Sequence, residues 1–470
     1  MTTVEQRTSR QPAVPIVMAA LFMAILDSFI VVVAGPAIRA DLGATSGELQ
    51  WVLTGYQLAY AVFLITGGRL GDRYGRKRIF VAGMALFTAA SVACALSETG
   101  ATLVAARVAE GLGSALMVPQ VFATITVLVS EKDRHRTYGV LGVVIGLATI
   151  GGQLIGGLLV SADLFGSGWR PVFWINVPIG LVTIALAGRY LTESRAARAH
   201  KVDLPGVVVL SAALLAFTVP LIQGREAGWP WWTWPSFLAA FDCFAVFAAL
   251  ERRVADPLVR LSLFAARPFS VGIVLVLAVY ALLTSYYLVL SVAMQDGLGL
   301  SALGSGLVYT PAAVTFFVFS LIASRLVPVH GRRVLEAGAV VMTLGYASTA
   351  LVLGFGPHLT PGLVIPTLML QSMGGGLLIT PLLNTVLARI GPEDAGMASG
   401  LLSTAQQVGG ALGVAGIGIV FFGAFHPTGQ DRVAAAGRGL AIASVFTLVV
   451  SAAATVLVFL LPRERPSAPA

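Results

Sequence analysis

Three ionisable residues stand where ionisable residues are costly. Asp27 interrupts the apolar run AALFMAILDSFIVVVAG, and Arg107 and Glu110 lie in the mostly apolar ATLVAARVAEGLGSALMV. The i,i+3 spacing puts Arg107 and Glu110 on one face of a helix. A charge deep in an apolar span costs several kcal/mol unless it is paired or faces a cavity. Burial disfavours the ionised form of an acid and a nearby cation favours it. A buried acid beside a movable cation can therefore take up and release a proton, and Asp27, Arg107 and Glu110 are the candidates for that chemistry. Asp27 has no basic partner at depth in its own run and reads as an unpaired acid. The plainer alternative is a static ion pair that fixes helix packing.

A second candidate is GRLGDRYGRKR (68–78), with five basic residues around Asp72. Basic residues in such a loop orient a membrane protein, but an acid opposes that signal. Asp72 would instead suit the partial positive charge at a helix N-terminus, such as one beginning near Gly396. No HExxH, CxxC or GxxxxGK[ST] occurs, so metal catalysis and ATP hydrolysis lack their residues. Cys94 and Cys243 stand apart and support neither a disulfide nor a thiol metal site. No cofactor or metal is expected; the driving force would be a proton gradient.

The elements that position these residues follow from composition. The 470 residues are 57% hydrophobic and 11% charged, with 52 glycines, which excludes an ordinary soluble domain. Fourteen stretches reach the length that a spanning helix needs: 14–36, 49–68, 79–96, 102–129, 138–160, 172–191, 205–222, 234–250, 270–294, 302–326, 334–353, 362–388, 397–424 and 440–461. The loops left over are too short for a soluble catalytic domain. Sorted by alternating sides, 24 Lys and Arg fall on one side and five on the other, with Arg107 inside a span. By the positive-inside rule the richer side is cytoplasmic and holds both termini, so the +8 net charge is no nucleic-acid signal. All seven tryptophans fall at the opposite ends of spans, as an interfacial belt would. The first apolar run lacks an A-x-A site and carries Asp27, which reads as a retained span.

GRLGDRYGRKRI (68–79) after span two is echoed by SRLVPVHGRRVL (324–335) after span ten, with Pro328 in place of the aspartate. The chain then reads as two like halves of six spans, an arrangement common in secondary transporters. The expected organisation is a tail at 1–13, a six-helix bundle at 14–191, an extra hairpin with linkers at 192–267, a second bundle at 268–461 and a tail at 462–470.

These segments resemble the major facilitator superfamily. The loop 68–78 is similar to its loop 2–3 signature. LDSFIVVVAGPAI (26–38), RVAEGLGSA (107–115), GGQLIGG (151–157), WRPVFWINVPIG (169–180), DLPG (203–206) and AGMASGLLSTAQQVGGALGVA (395–415) resemble its fourteen-span drug:proton antiporters of the EmrB/QacA type. The resemblance implies an all-α major facilitator fold. It also implies a coupling role for Arg107, an inner gate built on Gly68, Asp72, Arg73, Gly75 and Arg76, and an antiporter-motif helix carrying Gly139, Gly152, Gln153, Gly156 and Gly157. The sequence departs from the pattern in three places. Phe29, Val32 and Gly35 replace Thr, Asn and Leu; Glu110 replaces Gln; and Gln153 replaces a proline, with Ala148 for a glycine. Without that proline the fifth span should run straighter.

The expected activity is proton-coupled export of amphiphilic small molecules across a bacterial inner membrane. Proton symport for uptake is the alternative, and a membrane-embedded enzyme a remote one. Small-molecule substrate, protons and lipid are the expected partners of a monomer, with no nucleic acid. The second half offers no acid at depth, because Asp296, Glu393, Asp394 and Asp431 read as loop residues and Glu336 lies near a span end. Tyr280, Tyr287, Tyr309, Gln371, Met373, Asn384 and Gln406 instead suit a neutral or singly charged aromatic guest.

Overall fold

Inside a bilayer a chain must satisfy its own backbone, which for these apolar windows means helix. The computed structural model describes residues 13–129, 131–195, 203–355, 359–387, 395–425 and 432–460. Among the described residues there are helices, turns and short connections, with no strand. Fourteen helices among the described residues are long and apolar enough to cross a membrane. In chain order they are α1 (Ala13–Leu42), α2 (Ser46–Tyr74), α3 (Arg76–Ala95), α4 (Gly100–Leu128), α5 (Glu131–Ala162), α6 (Pro171–Tyr190) and α7 (Leu204–Glu226). There follow α8 (Thr233–Glu251), α9 (Arg267–Val292), α10 (Ala302–His330), α11 (Arg332–Phe355), α12 (Pro361–Leu387), α13 (Ala395–Ala424) and α14 (Arg432–Leu460). The tails fall outside the described residues, apart from Ala13 at the start of α1, as do Glu393, Asp394 and Asp431.

Helix starts are written locally. Thr45 and Glu48 form a reciprocal capping box at α2, with Thr45 N–H donating to Glu48 Oε2 at 2.9 Å and Glu48 N–H to Thr45 Oγ1 at 3.1 Å. Ser301 caps α10 through the Gly304 N–H. No proline interrupts α5, where Gln153 stands, and it runs as one continuous helix of 32 residues.

The chain divides into two compact units, one comprising 1–217 with 234–259 and the other 218–233 with 260–470. In the first, α1 packs on α5, α2 and α3 on α4, and α3 on α6. In the second, α9 packs on α13, α10 and α11 on α12, and α11 on α14. These are the same pairings by position: first with fifth, second and third with fourth, third with sixth. The sequence echo has matching geometry too. Gly75 and its counterpart Gly331 both turn the chain at positive φ, +115° and +54°, where a side chain would be strained. The next arginine in each copy makes an i,i+4 ion pair, but in opposite directions. Arg76 reaches back to Asp72 at 2.9 Å, whereas Arg332 reaches forward to Glu336 at 2.7 Å. Pro328 stands where the first copy has its acid, and the acid paired with the second arginine lies downstream.

Candidate functional site

Five helices of the first unit meet at one polar cluster. Asp27 comes from α1, Ser91 and Cys94 from α3, Arg107 and Glu110 from α4 and Asn176 from α6, while α2 contributes Tyr56 and the Val52 carbonyl. Asp27, Ser91, Glu110 and Asn176 are fully buried and Arg107 is 1% exposed. One guanidinium nitrogen serves both acids. Arg107 Nη1 donates to Asp27 Oδ2 at 2.5 Å and to Glu110 Oε2 at 2.6 Å. Its Nε donates to Val52 O at 3.1 Å, and its plane lies over Tyr56, 4.3 Å from the ring centroid. Phe173 stands on another side at 5.8 Å. These contacts hold a cation in an otherwise apolar place.

Asp27 is thus not an unpaired acid, which corrects the reading of its own helix alone; its partner comes from a helix 80 residues away. The i,i+3 placement of Arg107 and Glu110 does bring them into contact. What the sequence did not reveal is the layer behind them. Asn176 Nδ2 donates to Asp27 Oδ1 at 3.1 Å and to Ser91 Oγ at 3.3 Å, and Ser91 Oγ lies 2.5 Å from Glu110 Oε1. Cys94 Sγ–H points at Glu110 Oε2 from 3.5 Å. Asn176 is the uncharged polar residue inside WRPVFWINVPIG, which is the signal that could have found it; Ser91 and Cys94, i,i+3 in a span, carry a weaker one. Two acids, one fixed cation and no water-facing surface leave a net charge of −1 unless a proton is bound. A buried charge without compensation is costly, and here two carboxylates compete for one guanidinium.

The glycine-rich helix bears directly on the site. A Cβ added to Gly152 would lie 2.8 Å from Leu26 O and 2.8 Å from Phe29 Cβ, and one at Gly156 would lie 2.7 Å from Ile30 Cγ1. The α5 backbone therefore touches the α1 backbone on both sides of Asp27, as only small residues permit. Gln153 is buried beside them. Gly139 and Gly157 lie further along α5.

The 68–78 segment, expected as a loop, is instead the last turns of α2 and the first turn of α3, joined at Gly75 alone. It is stapled to the end of α6. Arg76 N–H donates to Ser194 O at 2.9 Å, Lys77 N–H to Glu193 Oε1 at 3.1 Å, and Lys77 Nζ to Gly188 O at 2.7 Å. Asp72 is ion-paired with Arg76, while Arg73 is exposed and lies over Tyr74. A Cβ added at Gly68 would meet Pro119 only at ordinary contact distance.

In the second unit a narrow cleft of about 30 Å³ is lined by Tyr286, Tyr287, Phe316, Tyr346, Gln371 and Ser372, among others. Gln371 donates to Thr349 Oγ1 at 2.8 Å, and Tyr309 donates to Tyr287 O at 2.9 Å while its ring meets the Tyr287 ring edge-on. Of the expected aromatic and amide set, Tyr287 and Gln371 line this cleft and Tyr309 backs it. Tyr280, Met373 and Gln406 are half-buried elsewhere on α9, α12 and α13. Asn384 is placed in α12, but its side chain lies outside the described residues.

Comparison with known proteins agrees with this architecture. The pattern of the Major Facilitator Superfamily matches residues 17–414. A protein of Streptomyces coelicolor named as a probable actinorhodin transporter is 38% identical over 420 residues, 88% of this chain and 73% of that one. A cephamycin export protein of Amycolatopsis lactamdurans is 36% identical over 406 residues, 84% of this chain and 81% of that one. Among solved structures, an inward-facing, occupied bacterial homologue of the human lysosomal transporter Spinster superposes with a TM-score of 0.70. It covers 96% of both chains at 17% identity, a likeness of fold alone. A family pattern running through both compact units, on fourteen helices with the same pairings in each unit, makes this chain a member of the major facilitator superfamily.

Proposed function

We propose that the protein is a proton-coupled antiporter that exports amphiphilic small molecules across a bacterial inner membrane by alternating access. The observation that carries this reading is the buried Asp27–Arg107–Glu110 cluster, two acids on one guanidinium nitrogen. It is supported by the names of the relatives, an actinorhodin transporter and a cephamycin exporter among them. In this reading the chain is two six-helix bundles with the α7–α8 hairpin between them in sequence, both termini are cytoplasmic, the chain works as a monomer and no cofactor is needed. A proton entering from outside displaces Arg107 from one carboxylate; release of that proton inward accompanies outward delivery of substrate. The test is substrate flux in proteoliposomes under an imposed pH gradient. Export against the substrate gradient, reversed when the pH gradient is reversed, supports antiport; flux in the direction of the protons means symport.

The 68–78 segment acts as the inner gate in this reading, with Asp72 exchanging its Arg76 partner during the cycle. Asp72→Ala should slow turnover several-fold and leave substrate affinity unchanged, because the residue stands at a helix end. Binding measured by calorimetry beside transport rates separates the two. Weakened binding at an unchanged rate would make Asp72 a ligand.

Substrate is expected to engage the aromatic and amide cleft once that cleft widens. The cleft lining carries no acid, and Glu336 is committed to Arg332. A buried dication would find no compensating carboxylate there. Neutral or monovalent substrates should therefore be carried faster than a dicationic diamidine; equal rates for the diamidine and a monovalent dye would overturn the assignment.

A further inference from the structure

The DLPG segment lies outside the coupling cluster, and it brings two acids together. Asp203 stands just before α7, where its Oδ1 accepts the Gly206 N–H at 3.0 Å and its Oδ2 the Leu258 N–H at 3.3 Å. Glu251, the last residue of α8, accepts the Val259 N–H on Oε2 at 2.6 Å. Both residues are 4% exposed, and Glu251 Oε1 has no hydrogen-bond partner. A Cβ added at Gly206 would lie 2.4 Å from Asp203 Oδ2 and 2.6 Å from Glu251 Oε1, so the two carboxyl groups converge on the same point. The acids hold residues 258 and 259, and the two residues before these hold the end of α2. Arg69 Nη1 donates to Asp256 O at 2.9 Å and its Nη2 to Pro257 O, and Arg69 stands three residues before Asp72.

Two carboxylates facing one another out of water cannot both stay ionised at modest cost. A single proton turns the partnerless oxygen into a donor for its neighbour. The positive charge of Arg69, on α2, acts against this by favouring the ionised form of Glu251. The linker itself adds Arg252 and Arg253, both exposed, and Asp256 and Arg260, both half-buried.

We propose that Asp203 and Glu251 share one exchangeable proton, a second protonation site whose occupancy sets how firmly residues 256–259 grip Arg69 and with it the 68–78 segment. Loss of the proton puts two negative charges against each other and loosens the 256–259 segment. The proton site stands on geometry alone, while its effect on the gate rests on the transport reading above.

The experiment is infrared difference spectroscopy of the full chain in lipid across a pH titration, on wild type, Glu251→Gln, Asp203→Asn and Asp27→Asn. One protonated-carboxyl band should vanish in Glu251→Gln and equally in Asp203→Asn, and persist in Asp27→Asn. Thermal unfolding of each variant identifies any that misfolds, and either substitution suffices for the assignment. A band set unchanged by the properly folded variant would refute the shared proton, whatever the protein transports. In proteoliposomes, Glu251→Gln should lose the dependence of rate on the pH bathing that segment, with substrate affinity unchanged. A rate profile superimposable on wild type, with the band lost, would refute the link to the gate while leaving the proton site standing.

Discussion

Asp27→Asn should abolish proton-driven export and leave the protein folded. The amide keeps the size of the carboxyl group, and its oxygen can still accept from Arg107 Nη1, now 2.5 Å from Asp27 Oδ2. What it removes is a negative charge. Arg107 and Glu110 then balance without a proton, so protonating Glu110 would leave the arginine uncompensated and the neutral cluster no longer calls for one. Uphill flux in proteoliposomes should fall to background, while the unfolding temperature in detergent stays within a few degrees of wild type. Asp27→Glu should retain part of the activity with an altered pH profile. Normal drug/proton exchange in Asp27→Asn would remove Asp27 from the mechanism.

Arg107→Leu should cost stability as well as transport. Removing one partner from a buried ion pair typically costs about 3–5 kcal/mol, because the other charge is left uncompensated. Here a single deletion removes the counter-charge of two acids at once, leaving them only the neutral donors Asn176, Ser91 and Cys94. Both acids can escape the penalty only by taking up protons, so the variant should unfold several degrees early and regain part of the loss as pH falls. Thermal melts across pH measure this. A melt unchanged from wild type at neutral pH would mean that Arg107 is not the counter-ion of the pair. Arg107→Lys is no rescue, since a point-like ammonium cannot span both carboxylates and the carbonyl.

The fourteen helices were legible because hydropathy reports what lies in lipid. It does not report where hydrogen bonding stops. Span one ended at 36 by composition, yet α1 continues to Leu42 because Asp41, in its last turn, is held by Trp169 Nε1 at 2.9 Å and Arg170 Nη1 at 2.8 Å. The last span began at 440, whereas α14 starts at Arg432, with two arginines in the polar stretch that hydropathy passes over. In the site, Arg107 and Glu110 could be joined from spacing because one helix carries both. Asn176 could not, being 149 residues from Asp27. Ser91 and Cys94 looked like ordinary small residues until α3 packed on α4. The staple at Glu193 and the grip of residues 256–257 on Arg69 are likewise long-range, and no local pattern announces them.

Two acids on one arginine have an electrical consequence. With one proton bound the cluster is neutral; without it the cluster carries one negative charge inside the membrane field. In the proposed cycle the loaded, deprotonated form swings outward and the protonated form returns. Each elementary charge moved through the full field is worth about 2.3 kcal/mol per 100 mV. An interior-negative voltage therefore pushes the outward swing when the cargo is neutral and leaves the protonated return untouched. A monovalent cationic cargo cancels the charge, and voltage then has no grip on either step. The same transporter would run on voltage plus pH gradient for neutral compounds and on the pH gradient alone for singly charged ones.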